Sequence, residues 1–278
     1  MNYRHHFHAG NFADVFKHVF LTLILRHLAR KETPFRYIDT HAGDGLYELP
    51  EPVAGKNPEW HGGIGKLMGT DPPPEIKPLI APYLEIASPL FLRTPRRYGG
   101  APYIAKTLLR RQDRMLGCEL HAESFSHLKA VLGRDSRIKL FERDGYGGLK
   151  AFVPPVERRG LVLIDPPFEH GQEFEHASAA LINAWHKWAS GIFLFWYPVK
   201  ASAAGALVCN RLLQGGVKRI LRLELQIDRP AAGQPLSRCG LILINPSFLI
   251  DEQAAVLLPW LTGLFAGKEP AFQIAKDG

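Results

Sequence analysis

The residues with most chemistry to offer are Asp165-Pro166-Pro167-Phe168. They follow Leu161 to Ile164, a short run, apolar on both alternating faces, that predicts a buried parallel strand. Two prolines end such a strand abruptly and stiffen the backbone after it. A carboxylate, the Pro166 carbonyl and an aromatic face are thereby presented together at the strand's C-terminal end, the edge where ligands sit in open α/β sheets. Two acceptors so placed suit the two hydrogens of one planar amino group. Phe168 could stack on the ring carrying that group, an interaction worth about 1–3 kcal/mol for a nucleic-acid base. The bland alternative is an aspartate capping the next helix, with Pro-Pro as loop punctuation.

Acids stand at other strand ends too. The run Phe35 to Asp39 leads into Thr40-His41-Ala42-Gly43-Asp44-Gly45, and two glycines in such a turn let a ligand approach the backbone closely. A dinucleotide fingerprint would need another glycine where Glu48 stands. Glu119 closes a strand expected over Met115 to Leu120, where an acid can accept both hydroxyls of a ribose. Asp144 follows the strand expected over Ile138 to Phe141 and could accept the amino hydrogens of an adenine lying along Gly145. Taken singly, Glu119 and Asp144 could equally be helix caps or dipole partners. Three other segments are rejected as sites. Gly62-Gly63-Ile64-Gly65-Lys66 lacks the first glycine and the hydroxyl residue of a phosphate loop. Asp71-Pro72-Pro73 has no strand before it, and Asn245-Pro246-Ser247-Phe248 follows a strand expected to run the wrong way.

These groups need a scaffold. Apolar runs at Phe35–Asp39, Met115–Leu120, Ile138–Phe141, Gly160–Ile164 and Gly191–Trp196 alternate with amphipathic stretches at Ala101–Arg111, Ala122–Leu132, Phe174–Trp188 and Ala201–Gln214. That alternation predicts a doubly wound α/β sheet, mostly parallel. Arg219–Ile227 and Gly240–Ile244 have no helix between them, so the sheet should end in an antiparallel hairpin. A helix from about Ala13 to Arg30 opens the chain, capped by Asn11 or Asp14, and one from about Asp251 to Phe265 should cover the sheet's edge. The proline-rich stretch from 47 to 97 breaks the pattern and reads as an inserted subdomain of short helices within a single domain, 1–278. Trp60, Arg93, Arg96, Arg97 and Tyr98 within it are candidates to touch a large substrate, alongside a purely structural reading.

The chain has 278 residues, 46% of them hydrophobic, and a net charge of +7, a balance that attracts polyanions. No run of 18 or more apolar residues predicts a membrane span, and no signal peptide is evident at the start. Three scattered cysteines argue against a disulfide framework and for a reducing, cytoplasmic setting. No metal-ligand spacing is present. Without a heptad or an obvious interface stripe, the expectation is a monomer.

Asp-Pro-Pro-Phe resembles the Asp/Asn-Pro-Pro-aromatic motif of S-adenosylmethionine-dependent amino-methyltransferases, and the strand order resembles their class I fold. The N-terminal run Tyr3-Arg4-His5-His6-Phe7-His8-Ala9-Gly10-Asn11-Phe12-Ala13-Asp14-Val15-Phe16-Lys17-His18 adds specificity. With Asp39-Thr40-His41-Ala42-Gly43-Asp44-Gly45 and Asp165-Pro166-Pro167-Phe168, it resembles the RlmJ family of bacterial 23S ribosomal RNA adenine-N6 methyltransferases over essentially the full length. The resemblance implies S-adenosyl-L-methionine as cofactor and 23S ribosomal RNA as partner. It implies cofactor contacts at His18, His41, Ala101, Glu119, Asp144, Gly145 and Asp165, with Asp165 also the catalytic acceptor; at Ala101 the family commonly carries serine. Tyr3 would lie near the target adenosine, Phe168 would stack on it, and Arg4 and Lys17 are candidate phosphate-facing cations, with Arg93, Arg96 and Arg97. Two alternatives stay open on the residues: a DNA adenine-N6 methyltransferase, and a non-catalytic RNA-binding module on the same fold.

Overall fold

The computed structural model describes residues 8–52, 57–169, 171–199, 204–231 and 235–277. Tyr3 and Arg4 lie outside the described residues. Eight strands form one sheet, built on β1 (Arg36–Asp39). Beside it, in parallel, lie β4 (Arg114–Glu119) on one side and β6 (Gly160–Ile164) on the other. Then come β5 (Ile138–Glu142) beyond β4 and β7 (Ile192–Pro198) beyond β6, also parallel. The predicted strand runs are therefore present, shifted by one or two residues at their ends. The side chains of β1, β4, β6 and β7 are nearly all buried on both faces, which is why they read as continuous apolar runs; the edge strand β5 is largely not buried.

The expected hairpin is β8 (Ile220–Gln226) and β9 (Arg238–Ile244); β9 lies against β7, antiparallel, with β8 outside it. The sheet does not end there. A further strand, β10 (Ala271–Asp277), pairs antiparallel with β8 and forms the edge, a correction to the expectation that a helix closes it. That helix, α9 (Phe248–Phe265), instead buries Ile250, Ala254, Leu257, Leu258, Leu261 and Phe265 in the core on one face of the sheet. It is long and apolar enough to cross a membrane by length and composition, yet this packing is that of a covering helix. Because β9 runs opposite to β7, Asn245-Pro246 leaves the sheet away from the end that carries Asp165.

Helix α1 (Phe12–Ala29) starts where expected, with Asn11 as the cap: its side chain accepts from the Asp14 amide at 3.0 Å, while Asp14 accepts from the Gly10 amide at 3.0 Å. Its apolar residues Val15, Phe16, Val19, Phe20 and Leu23 lie in the core on the sheet's α9 face. The opposite face is covered by α6 (Gly145–Phe152), α7 (Glu173–Lys187) and α8 (Ala204–Gln214), of which α6 was not predicted. Residues 47–97 differ from a set of short helices alone. A two-stranded antiparallel ribbon, β2 (Leu46–Glu48) with β3 (Arg97–Gly99), brings the ends of the stretch together. Between them lie a 3-10 turn at Glu59–Gly62, a short α2 (Ile64–Met68) and a 15-residue α3 (Lys77–Phe91) that packs on α1. Trp60 and Tyr98 are buried here, so neither is the surface contact that the sequence suggested. Arg96 lies over the Trp60 and Phe91 rings and pairs with Glu51 at 3.2 Å.

Candidate active site

A cleft of about 1020 Å³ opens at the C-terminal ends of β1, β4, β5, β6 and β7. Its lining includes His18, His41, Ala101, Glu119, Asp144, Gly145, Asp165, Lys17 and Phe168, so the predicted cofactor and catalytic residues are brought to one place, whereas Arg93, Arg96 and Arg97 are not among its lining residues. Strand order explains the grouping. Asp165 leaves β6 in the middle of the sheet, Glu119 and Asp144 leave β4 and β5 on one side, and Trp196 lies on β7 on the other.

The turn after β1 forms as its glycines allow. Gly43 and Gly45 have φ of +61° and +79°, a region costly for other residues, and a Cβ at Gly43 would meet the Tyr47 hydroxyl at 2.2 Å. The Gly43 amide donates to Glu119 Oε2 at 2.8 Å, and the His121 amide to Oε1 at 2.8 Å. These two bonds fix the carboxylate and leave each oxygen further acceptor capacity at the cleft wall. Asp144 caps α6, accepting from the Gly147 amide at 2.6 Å, while it also lines the cleft; capping and ligand binding are compatible at this position. Gly145 packs so tightly on the β1 turn that a Cβ would stand 2.1 Å from the Thr40 carbonyl. Ala101 is the first residue of α4 (Ala101–Leu108) and lies against the cleft.

The two histidines are held by hydroxyls. Tyr83 donates to the Tyr98 hydroxyl (3.1 Å), which stands 2.7 Å from His18 Nδ1 in a buried chain. His41 Nδ1 lies 2.8 Å from Thr40 Oγ1, whose hydrogen goes to the Leu163 carbonyl at 3.0 Å, so the ring nitrogen is the donor and Nε2 the acceptor. Burial pulls the His41 pKa down against the fields of Asp165, Glu119, Glu173 and Asp144, keeping the ring neutral. Beneath it, burial pushes Asp39 up to about 7, helped by the charge of Asp165 and opposed by the hydrogen bonds from Tyr37 and the His41 amide.

At the centre, Lys17 Nζ donates to Asp14 Oδ1 at 2.9 Å and to Asp165 Oδ2 at 2.5 Å. Lys17 is 4% exposed. Burial alone would lower its pKa, but the charges of Asp14 and Asp165, with both hydrogen bonds, outweigh it and hold the ammonium charged. This corrects the expectation that Lys17 faces phosphates: its charge is committed to two carboxylates. The Asp165 side chain keeps 17% exposure, enough to meet a ligand in the cleft. Phe168, at φ +53°, sits in a cluster with Phe174 (4.9 Å between centroids), Trp196 (5.8 Å) and Phe195 (6.0 Å). Part of its face is therefore covered by the protein itself.

Sequence reasoning missed Asp14 as an ion-pair partner, Glu59 and Trp196. Asp14 and Lys17 stand three apart on a helix, and that spacing was a usable signal. Glu59 bonds His8 (2.9 Å) and Asn11 (2.9 Å) at the cleft rim, which only the fold reveals.

The family model described as ribosomal RNA large subunit methyltransferase D, RlmJ, matches residues 32–274. The chain belongs to the RlmJ family. It is 37% identical over 263 residues to ribosomal RNA large subunit methyltransferase J of Escherichia coli (strain K12), covering 94% of this chain and 92% of that one. The protein of the same name from Haemophilus influenzae is also 37% identical, over 265 residues, covering 94% and 93%. The solved structure of protein LPL1258 from Legionella pneumophila superposes with a TM-score of 0.87 at 31% identity, over 97% of this chain and 98% of that one. The fold is the class I, Rossmann-like methyltransferase fold, and the RlmJ cofactor is S-adenosylmethionine. The cleft fits that group: it offers fixed carboxylate acceptors for a nucleoside at Glu119 and Asp144, a glycine turn, and a volume at the upper end of the range for small-ligand pockets.

Proposed function

We propose that this chain transfers the methyl of S-adenosylmethionine to the N6 amine of an adenosine in 23S ribosomal RNA, with Asp165 as the acceptor for that amine. The observation that carries the reading is that Asp165, at the end of β6, opens into the same cleft as Glu119 and Asp144. Glu119 would hold the cofactor's ribose, and Asp144 with Gly145 its adenine. His18, His41 and Ala101 complete that wall. When bound, the cofactor supplies a methyl on a sulfonium, an electrophile that needs a free nitrogen lone pair.

Asp165 and the Pro166 carbonyl supply what the nitrogen lacks. An exocyclic amine delocalises its lone pair into the purine ring; two acceptors on its hydrogens favour a pyramidal, more nucleophilic nitrogen. The same acceptors stabilise the positive charge that grows there during attack. Asp165 takes no full proton before the methyl moves; the methylated amine releases it afterwards to water at the open cleft. Lys17 holds the Asp165 carboxylate in position, and Asp14 keeps Lys17 in place. The adenosine must leave its stack to reach the cleft, at a cost of a few kcal/mol. Phe168 and Trp196 offer it aromatic surface in return.

The chain acts as one domain with residues 47–97 inserted, as a cytoplasmic monomer, on RNA rather than DNA. The test is incubation with methyl-labelled cofactor and, separately, naked 23S transcripts and double-stranded DNA. Label on N6 of one RNA adenosine supports the reading. Label in DNA alone, or cofactor binding without transfer to either polymer, contradicts it.

A further inference from the structure

The segment that carries Asp165 is tied at both ends. Lys17 holds the first end. At the other end, Glu173 opens α7, is only 6% exposed, and accepts from the Tyr146 hydroxyl at 2.6 Å. Between them, Pro167, Glu169, Gly171 and Gln172 are exposed, and a side chain added at Gly171 would meet nothing within 4 Å. The one inward ring of this stretch among the described residues, Phe168, leans on Phe174, the residue after Glu173. Phe195 and Trp196 of β7 hold the same ring from the other side, and Glu173 sets where Phe174 meets it.

Tyr146 belongs to the other half of the cleft. It lies in the first turn of α6, directly after Asp144 and Gly145, and its ring meets His41 edge-on at 5.4 Å between centroids. Both Tyr146 and Glu173 line the cleft. Burial first, then the bonded carboxylate, keep the phenol well above its ordinary pKa, so it remains a donor throughout the working range. The bond therefore joins the nucleoside wall of the cleft to the segment that bears the acceptor.

We propose that Tyr146 and Glu173 form a latch that positions the Asp165–Phe168 segment, tying it to the cofactor half of the cleft. The inference rests on the methyltransferase reading above. Both are positioning residues: neither needs to touch the amine. A hydrogen bond to a buried carboxylate is among the stronger neutral-donor bonds in proteins, and a shift of about 1 Å in an acceptor can cost on the order of a hundredfold in rate.

The test uses single-turnover methyl transfer to 23S transcripts, with cofactor affinity and thermal unfolding measured on the same samples. Tyr146→Phe keeps the ring against His41 and removes only the donor; the rate should fall about tenfold or more, with cofactor affinity within about threefold of the parent. Glu173→Ala should match it, and the double variant should be no worse than either single one. Glu173→Gln, whose amide oxygen still accepts from Tyr146, should recover most of the rate. A parent-like rate for Tyr146→Phe overturns the latch. So does a Glu173→Gln rate as low as that of Glu173→Ala, because the carboxylate charge would then act directly. Should the parent enzyme transfer no methyl to RNA, the functional reading fails, and the latch is still decided by hydrogen exchange. The peptide from Phe168 to Phe174 should exchange at least severalfold faster in Tyr146→Phe, and equal exchange overturns the proposal.

Discussion

Two buried charge clusters sit at opposite sides of β7, and they are near mirror images. At the cleft, one ammonium, Lys17, lies between two carboxylates, Asp14 and Asp165. Beyond β9, one carboxylate, Glu224, lies between two guanidiniums: Arg222 donates to its Oε1 at 3.0 Å and Arg238 to its Oε2, while Tyr197 adds a bond at 2.7 Å. The second cluster is closed, with three donors on one carboxylate beneath the strands that end the sheet. The first is open, because Asp165 keeps exposure toward the cleft. Buried charge pairs are poor evidence for stability, since desolvation offsets most of their attraction, whereas breaking one is costly. What separates the two clusters is unspent acceptor capacity facing a cavity, and that is where chemistry can be done.

The sharpest way to break this contrast is Lys17→Met. It removes the ammonium that Asp14 and Asp165 share, so denaturant unfolding should show a loss of about 3–5 kcal/mol, and methyl transfer should collapse in the protein that remains folded. Glu224→Leu removes the nearest carboxylate of Arg222, leaving it only the longer contacts to Asp277 (3.7 Å) and Gln273 (3.3 Å), and should cost about 3 kcal/mol. Its rate per folded molecule should stay within about twofold of the parent, because no ligand depends on it. Equal damage to activity from both variants would erase the distinction. Tyr197→Phe removes one of three donors and should cost about 1–1.5 kcal/mol in thermal or urea unfolding, again without a rate effect.

The smallest effect belongs to the rim pair His8–Glu59, which is partly exposed and screened. The hydrogen bond and charge of Glu59 raise the His8 pKa against burial, so its contribution is complete below about 6.5 and fades as pH rises through the raised value. Burial would raise the Glu59 pKa, but its bonds to His8 and Asn11 and the His8 charge lower it, so its contribution is present above about 4.5 and fades as pH falls. The stability difference between the parent and His8→Gln should peak between those pH values at a few tenths of a kcal/mol, read from unfolding curves across pH. A difference that grows above pH 8 contradicts the pairing.

The same contrast marks how far residue order could be read. The parallel strands were legible because β1, β4, β6 and β7 are buried on both faces, so apolar runs stand out between helices. The edge strand β10 was not: its residues are half-exposed, and it gains order only by pairing with β8 along its whole length. Helix α6 was hidden by three glycines in its first four residues, which lower helix propensity but allow close packing. Trp60 and Tyr98 were misread because a proline-rich stretch suggested surface, whereas it packs around them. In the cleft, the strand-end acids and the glycine turn were legible from local pattern. The Lys17–Asp165 bond joins residues 148 apart in sequence, and nothing local announces it.

Asp165 carries the account, and Asp165→Ala tests it most directly, because Lys17 keeps Asp14 as a partner and the fold should hold. Single-turnover transfer to 23S RNA should fall by about a hundredfold or more, while S-adenosylmethionine binding, measured by calorimetry, stays within about tenfold of the parent. Transfer near the parent rate, or a loss explained wholly by lost cofactor binding, would contradict it.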